Sequence, residues 1–257
     1  MRYLVLGSGR VARHICFYLA ELGLSFIPWS RVAHDQESLP SYARDCSHAL
    51  ILLSDSAIET FVLQNRCLAH LTRVHFSGAL STEQAFSAHP LFTFSKGLYT
   101  PDTYRQIPFI LEKGGPTFTD LLPGFPNRHE VIEADSRAYY HSLCVLSGNF
   151  TNILWQKLFH ELESRFQIPR EIAIPYLEQT LQNLKENPSA SLTGPLVRRD
   201  FKTIKSNIKA LQGDPFQTVY YAFLEAVMGG TDASSQDGFR LPKNEKSGAE
   251  DLYRHLL

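Results

Sequence analysis

The first thirty-one residues constrain the fold more than any other part of the chain. The apolar run Tyr3-Leu4-Val5-Leu6 fits one buried strand of a parallel sheet. It leads directly into the turn Gly7-Ser8-Gly9-Arg10-Val11-Ala12, and an amphipathic stretch follows until Gly23. Glycine at that point is typical of the end of a helix. This order of strand, glycine-rich turn and helix predicts an α/β fold.

The turn has the spacing G-x-G-x-x-A, which in this context matches a dinucleotide-binding fingerprint. Gly7 permits the tight turn, Gly9 lets backbone N–H groups approach a pyrophosphate, and the small Ala12 lets helix and strand pack closely. The helix N-terminus attracts the phosphates. We therefore predict that residues 7–11 (Gly7, Ser8, Gly9, Arg10 and Val11) bind a dinucleotide. The alternatives are another nucleotide or a purely structural turn.

The end of the second strand indicates which dinucleotide binds. Ser25-Phe26-Ile27 leads to Trp29-Ser30-Arg31, at the position where an NAD site usually carries an Asp or Glu for the ribose hydroxyls. A hydroxyl and a guanidinium are instead suited to donate to a 2′-phosphate. Ser30 and Arg31 therefore favour NADP(H) over NAD, the alternative being a solvated arginine in a loop.

Composition excludes several classes of protein. Of 257 residues, 44% are hydrophobic and 20% charged, and the formal net charge is -1, so neither nucleic acid nor a membrane surface is an expected partner. The four cysteines are scattered singly, which predicts buried thiols in a reducing cytoplasm. The ten histidines form no H-E-x-x-H or similar motif, and we expect no metal.

Further strand ends are expected at the same edge of a doubly wound parallel sheet that continues to about residue 133. One apolar run, 47–53, ends at Leu53 and is followed by Ser54 and Asp55. Asp55 or Ser56 is expected to cap the next helix. Another, 74–76, ends at Ser77 and Gly78. We predict that both turns lie along the cofactor. Later strands are expected at 89–94, 109–112 and 130–133.

Helical patterns replace the strand patterns from Ser136 onwards. Helices are predicted at about 136–166, 169–186, 199–212 and 215–228, followed by a polar, mobile tail at 229–247 and a short helix at 249–256. We therefore predict a cofactor-binding domain over 1–134 and a helical substrate and dimerisation domain over 135–257.

The first of these helices carries a polar stripe. On a helical wheel of 100° per residue, one side holds His141, Gly148, Asn149 and Asn152. The opposite side is predicted to be a core face, with the residues Leu143, Leu146, Phe150, Ile153 and Leu154. A solvated helix face usually carries Lys and Glu, but neither occurs between Ala138 and Trp155. The polar stripe is therefore expected to line a site. An ordinary surface helix is the alternative.

A second polar group follows the Gly194-Pro195 turn. Arg198, Arg199 and Asp200 are predicted to open a helix, where the helix dipole disfavours arginines. The two arginines are therefore expected to bind an anion such as a substrate carboxylate, or to pair with Asp200.

Six blocks of sequence resemble a known family. They are GSGRVA (7–12), SR (30–31), HFSGALS (75–81), HPLFTF (89–94), YHSLCVLSGNF (140–150) and LTGPLVRRDFKT (192–203). They resemble Rossmann-like bacterial proteins whose second domain has no assigned function. More distantly, they resemble ketopantoate reductase, pyrroline-5-carboxylate reductase and the 6-phosphogluconate dehydrogenases. In characterised relatives, the first long helix of the helical domain supplies the proton-transfer residue, usually Lys with Asn. Here no lysine of that helix precedes Lys157, and His141 with Asn149 occupies the region.

The residues and the resemblance together imply an NADP(H)-dependent reductase of a small carbonyl or imine, for which a 2-oxo acid is one candidate. His141 is predicted to donate the proton because the ordinary pKa of histidine lies near neutrality, with Asn149 as its catalytic partner. Ser77, Asn152, Arg198 and Arg199 are predicted to bind the substrate. The helices after Arg170 are expected to form a homodimer. The alternative function is a non-catalytic NADP(H)-binding redox sensor or scaffold.

Overall fold

The computed structural model describes residues 1–228, and the predicted tail and last short helix lie outside them. The strands are β1 Tyr3–Leu6, β2 Phe26–Trp29, β3 His48–Ile51, β4 Thr72–His75, β5 Phe86–Pro90, β6 Phe109–Glu112 and β7 His129–Ile132. The helices before residue 157 are α1 Arg10–Glu21, α2 Leu39–Ala43, α3 Asp55–Gln64, α4 Pro101–Arg105, α5 Phe118–Leu121, α6 Arg137–Cys144 and α7 Thr151–Ser164, which continues past it. The later helices are α8 Ile174–Glu186, α9 Pro195–Arg198, α10 Phe201–Ala210 and α11 Phe216–Met228.

The seven strands form one sheet in the order β2-β1-β3-β4-β5-β6-β7. Pairing is parallel from β2 to β5 and again between β6 and β7, whereas β5 and β6 are antiparallel. The predicted doubly wound α/β fold is confirmed, with one antiparallel junction that the sequence did not indicate. The order reverses between β1 and β3, and ligands of such sheets bind at the carboxyl ends of the strands at this switch point.

Two apolar cores cover the two faces of the sheet. Tyr3 and Val5 of β1 pack into one core, and the alternate residues Leu4 and Leu6 pack into the other. All four are fully buried, as expected for a central parallel strand with helices on both sides. Burial of each such side chain is worth roughly 1.5–3 kcal/mol, so β1 contributes to the stability of both cores.

The chain divides into two compact units, Met1–Lys157 and a second unit that begins at Leu158. The predicted functional boundary at residue 134 follows the change from strands to helices, and it stays a prediction. Helix α6 and the polar stripe belong to the first unit. In the second unit, Ile204, Ile208 and Leu224 form a small core between α10 and α11. Within residues 1–228, every helix is too short or too polar to cross a membrane.

Three local expectations were wrong. Helix α3 begins at Asp55, two residues before the expected start at Ala57, with Ser54 rather than Asp55 or Ser56 at the N-cap position. The strand expected at 89–94 ends at Pro90, because proline removes a ladder donor. Arg198 and Arg199 were expected to open a helix. Instead, Arg198 is the last residue of α9, and Arg199 adopts a left-handed conformation with a φ of 54°.

The apolar face predicted on the helix after Ser136 is exposed, which corrects the core assignment. Between 37% and 52% of each of the five side chains is accessible, namely Leu143, Leu146, Phe150, Ile153 and Leu154. A π-helical segment, Val145–Phe150, interrupts the α-helix here. Its i→i+5 hydrogen bonds add a residue to the turn, so a wheel of 100° per residue misplaces the residues that follow it.

Candidate functional site

The fingerprint turn lies at the switch point and combines one closed glycine with one open glycine. Gly7 has a φ of +131°, and a Cβ atom there would lie 2.4 Å from the carbonyl oxygen of Leu52. The backbone conformation and the contact with Leu52 therefore both require glycine at position 7. A Cβ atom on Gly9 would meet nothing within 4 Å. The space beside Gly9 is open to a ligand.

The N-terminus of α1 suits a phosphate group. Gly9 is its N-cap residue, no side chain caps the helix, and its first turn contains no acidic residue. The first N–H groups of a helix have no partner within it, and together with the dipole they attract anions. Ser8 and Arg10 are exposed and Val11 is half-buried, and Arg10 donates from Nη1 to the carbonyl oxygen of Phe94 at 3.1 Å.

The other predicted cofactor residues lie at the carboxyl ends of β2 and β3. Arg31 is exposed, whereas Ser30 is buried and its backbone pairs with His34. Ser54 and Asp55 are exposed in the turn after β3, with Leu53 half-buried. The accessible guanidinium of Arg31 is thus better placed than Ser30 to reach a ligand.

The turn after β4 is built around Ser77. Its Oγ accepts hydrogen bonds from the backbone N–H groups of Ala79 and Leu80 at 3.3 Å and 3.0 Å. Its carbonyl oxygen accepts one from Nη2 of Arg137 at 2.7 Å. Nε of Arg137 donates to the carbonyl oxygen of Leu80 at 3.0 Å. The fully buried Arg137 therefore fastens the first turn of α6 to this loop.

His141 follows Arg137 by one helical turn and lies against Gly78. A Cβ atom on Gly78 would be 2.4 Å from Cδ2 of His141 and 3.0 Å from Nε2 of His89. Glycine at 78 is therefore what allows the two imidazoles to approach the turn. The two rings are perpendicular, with centroids 6.0 Å apart. The structure thus brings together Ser77, Gly78 and His141 from the predicted site.

The remaining predicted residues are distributed differently. Gly148, Asn149 and Asn152 are exposed, and Asn152 donates to the carbonyl oxygen of Gly148 within its own helix. Arg198 and Arg199 are exposed in the second unit. Asp200 caps α10 by accepting a hydrogen bond from the N–H of Thr203 at 3.1 Å. The two arginines come before this helix and do not open it with Asp200. The site roles of these asparagines and arginines stay predictions.

Sequence reasoning did not single out His75, His89, Arg137 and Tyr140. His89 belongs to β5, which runs parallel to β4, so the strand-end rule that selected Ser77 also applies to it. Arg137 and His141 are four residues apart and share a helix face. These two regularities could have identified His89 and Arg137. Among the described residues, no three His, Cys, Asp or Glu side chains are grouped so that they could hold a metal ion.

Two histidines of this cluster are held neutral. Burial, followed by the positive charge of Arg137, lowers the pKa of His75 from 6.5 to about 4, against a smaller opposite effect of Asp55. Burial also lowers the pKa of His89 to about 4, with His141 and Arg137 as further causes. Nδ1 of His75 accepts from the N–H of Ser77 at 3.3 Å. Nε2 of His75 and Nη1 of Arg137 are buried without a partner.

Comparison with known proteins supports this architecture. Residues 112–226 match the family model described as Domain of unknown function (DUF2520). No curated protein matches the chain in sequence.

Three solved structures are similar over most of the chain. One, from Bacteroides fragilis, is provisionally assigned as an NADP oxidoreductase; it is 22% identical, with a TM-score of 0.67 over 86% of this chain and 95% of its own. The imine reductase of Streptomyces aurantiacus is 11% identical, with a TM-score of 0.63 over 91% and 96%. The reductive aminase of Aspergillus terreus, in complex with NADPH and ethyl levulinate, is 13% identical, with a TM-score of 0.61 over 90% and 96%. The resemblance to two-domain reductases is thereby confirmed as a likeness of fold.

The buried neutral histidines predict a loss of stability in acid. Because His75 and His89 have folded-state pKa values of about 4, the unfolded chain binds more protons as the pH falls below about 6.5. The free energy of unfolding should therefore fall between about pH 6.5 and pH 4, by at most about 1.4 kcal/mol per pH unit for each group. Urea unfolding at pH 7 and pH 5 measures this. His75→Asn should reduce the pH dependence, whereas His70→Asn, at an exposed position, should not; equal pH dependence in both variants would contradict the assignment.

Proposed function

We propose that this protein is an NADP(H)-dependent reductase of a small carbonyl or imine compound. The observation that carries the proposal is the position of His141 against Gly78, at the carboxyl edge of the sheet that also carries the open α1 N-terminus. Binding of NADP or NADPH by similar folds supports the cofactor, and the neighbours named as imine reductase and reductive aminase support the class of substrate.

Each part of the cofactor site would contact a different part of the dinucleotide. The free N–H groups of α1, beside Gly9, would hold the pyrophosphate, and Arg31 would hold the 2′-phosphate. Leu53, Ser54 and Asp55 would lie along the ribose on the other side of the switch point. The bound cofactor supplies the hydride. Gly78 would let the acceptor carbon and the reduced ring approach each other at roughly 3–3.5 Å.

His141 would transfer the proton to the oxygen or nitrogen of the acceptor. Imidazole suits this role because a ring nitrogen can carry a proton and give it to a neighbouring acceptor. Asn149 and Asn152 would hold the acceptor, Ser77 would contribute from the loop, and Arg198 or Arg199 would bind a carboxylate if the substrate carries one. A protein that binds NADPH tightly but reduces no carbonyl or imine would instead act as a redox sensor.

Loss of the Arg31 guanidinium should discriminate between the two nicotinamide cofactors. Arg31→Ala should weaken NADPH binding by roughly 1.5–3 kcal/mol, since a charge-assisted contact to a phosphate is lost, and should leave NADH binding nearly unchanged. Fluorescence titration with both cofactors measures the difference. Arg128→Ala removes the same charge from an exposed position just before β7. β7 is the outer strand farthest from β2 in the sheet, so this variant should alter neither affinity. Equal losses for NADPH and NADH would refute the 2′-phosphate contact.

Replacement of His141 should separate catalysis from cofactor binding. His141→Gln should lower kcat by roughly 10²–10⁴, because proton transfer is lost, while NADPH affinity stays unchanged. A panel of carbonyls and imines, assayed by NADPH oxidation, provides the measurement. His70→Gln, at an exposed position before β4, is the matched control. A His141→Gln variant with wild-type kcat would remove His141 from the mechanism.

The exposed apolar side chains favour a homodimer formed by the helices after Arg170. Tyr176, Leu181 and Leu184 on α8, and Val219 and Phe223 on α11, are 37–65% exposed, which is costly for a monomer. The uncovered apolar face of residues 143–154 also favours a second copy. Sedimentation should give twice the monomer mass. Leu181→Glu should shift it toward monomer, whereas Asn183→Glu, about 200° away on the same helix, should not; a wild-type monomer at all concentrations would refute pairing.

A further inference from the structure

The site contains a hydrogen-bonded pair that the proposed mechanism has not used. Nδ1 of His89 lies 2.8 Å from the hydroxyl oxygen of Tyr140, and the two rings meet edge to face at 5.6 Å. The opposite ring nitrogen, Nε2, would lie 3.0 Å from a Cβ atom on Gly78, closer than Cγ of His141 at 3.2 Å. One end of the His89 imidazole is therefore anchored to α6, while the other faces the turn where the substrate would lie.

The surroundings of His89 keep its ring uncharged at neutral pH. Burial is the main cause of its pKa of about 4, and electrostatic interactions with His141, Arg137 and His75 act in the same direction. Asp55 is the one opposing charge, and its effect is smaller than those of His141 and Arg137. A neutral imidazole has one nitrogen that donates and one that accepts. The chemistry of His89 therefore depends on which nitrogen carries the proton.

Tyr140 decides this tautomer. Burial raises the pKa of the Tyr140 hydroxyl, and a hydrogen bond with Cys144 acts in the same direction, so the hydroxyl keeps its proton. The hydroxyl has one proton and two neighbouring acceptors, the sulfur of Cys144 and Nδ1 of His89. Sulfur is the weaker acceptor, so the hydroxyl donates to Nδ1 of His89. Nε2 then carries the imidazole proton and presents an N–H group to the Gly78 turn.

We propose that His89 is a second catalytic residue, which donates a hydrogen bond from Nε2 to the oxygen of a carbonyl substrate, and that Tyr140 is its positioning residue. This inference rests on the proposed reductase function. A neutral imidazole can polarise an acceptor atom in this way without giving up its proton, as triosephosphate isomerase shows. His141 remains the group that transfers the proton. The two perpendicular rings beside Gly78 would thus act on the same acceptor atom, His89 as a hydrogen-bond donor and His141 as the proton donor.

Nitrogen NMR of the full chain, labelled at the histidine rings and measured with and without NADP⁺, tests the tautomer directly. In the wild-type protein at pH 7, His89 should be neutral with the proton on Nε2. Tyr140→Phe, which removes only the hydroxyl, should yield a mixture of both tautomers. Tyr139→Phe, at the exposed neighbouring position, should retain the wild-type signal. A proton on Nδ1 of His89 in the wild-type protein would overturn the inference.

Steady-state kinetics then tests the consequence for catalysis. With a carbonyl that the wild-type protein reduces, Tyr140→Phe should lower kcat about tenfold with little change in NADPH affinity, and His89→Phe should lower it by roughly 10²–10³, the range for loss of a donor to a developing oxyanion. Tyr139→Phe should match the wild type. Unchanged kcat in both Tyr140→Phe and His89→Phe would overturn this inference alone. Absence of wild-type turnover with every carbonyl and imine would overturn the reductase function and this inference with it.

Discussion

The candidate site depends on the hydrogen bonds of one fully buried arginine. Arg137 donates to the carbonyl oxygens of Ser77 and Leu80, and its nearest acidic partner, Glu112, is 3.9 Å away. Hydrogen bonds from a charged group are stronger than those between neutral groups. They fix the start of α6 on the turn after β4, and one helical turn later His141 reaches Gly78. The hydrogen bond between Tyr140 and His89 is a second attachment of the same helix to the sheet edge.

Burial is the main cause of the low pKa values of His75 and His89, and the same arginine lowers them further. A guanidinium cannot lose its proton at physiological pH, so its charge is permanent, and it disfavours protonation of His75 and His89. Their neutral state in turn gives each ring one donor and one acceptor. His89 is hydrogen-bonded to Tyr140, and His141 lies beside Gly78 from helix α6. Three histidines at one sheet edge thus have different surroundings.

Much of the first unit could be predicted because its signals are local. Leu4 and Leu6 alternate with Tyr3 and Val5 into two cores, and Gly7 must be glycine because its φ is positive and Leu52 stands in the way of a side chain. The glycine spacing, the following amphipathic helix and the later apolar runs are all read within a few residues. The antiparallel pairing of β5 with β6 could not be predicted in this way, because strand direction depends on pairing between segments that are distant in sequence.

The sequence by itself therefore determined the α/β fold, the position of the fingerprint turn, and the presence of an unusual helix around His141. Periodicity could not reveal the π-helical segment at Val145–Phe150, which changes which residues share a face, nor the exposure of Leu143 and Leu146. Only the tertiary structure decided that His89 and Tyr140 meet and that Arg137 holds the turn. These contacts join residues 51 to 60 positions apart. Burial, which lowers the pKa of His89, exists only once those segments have packed together.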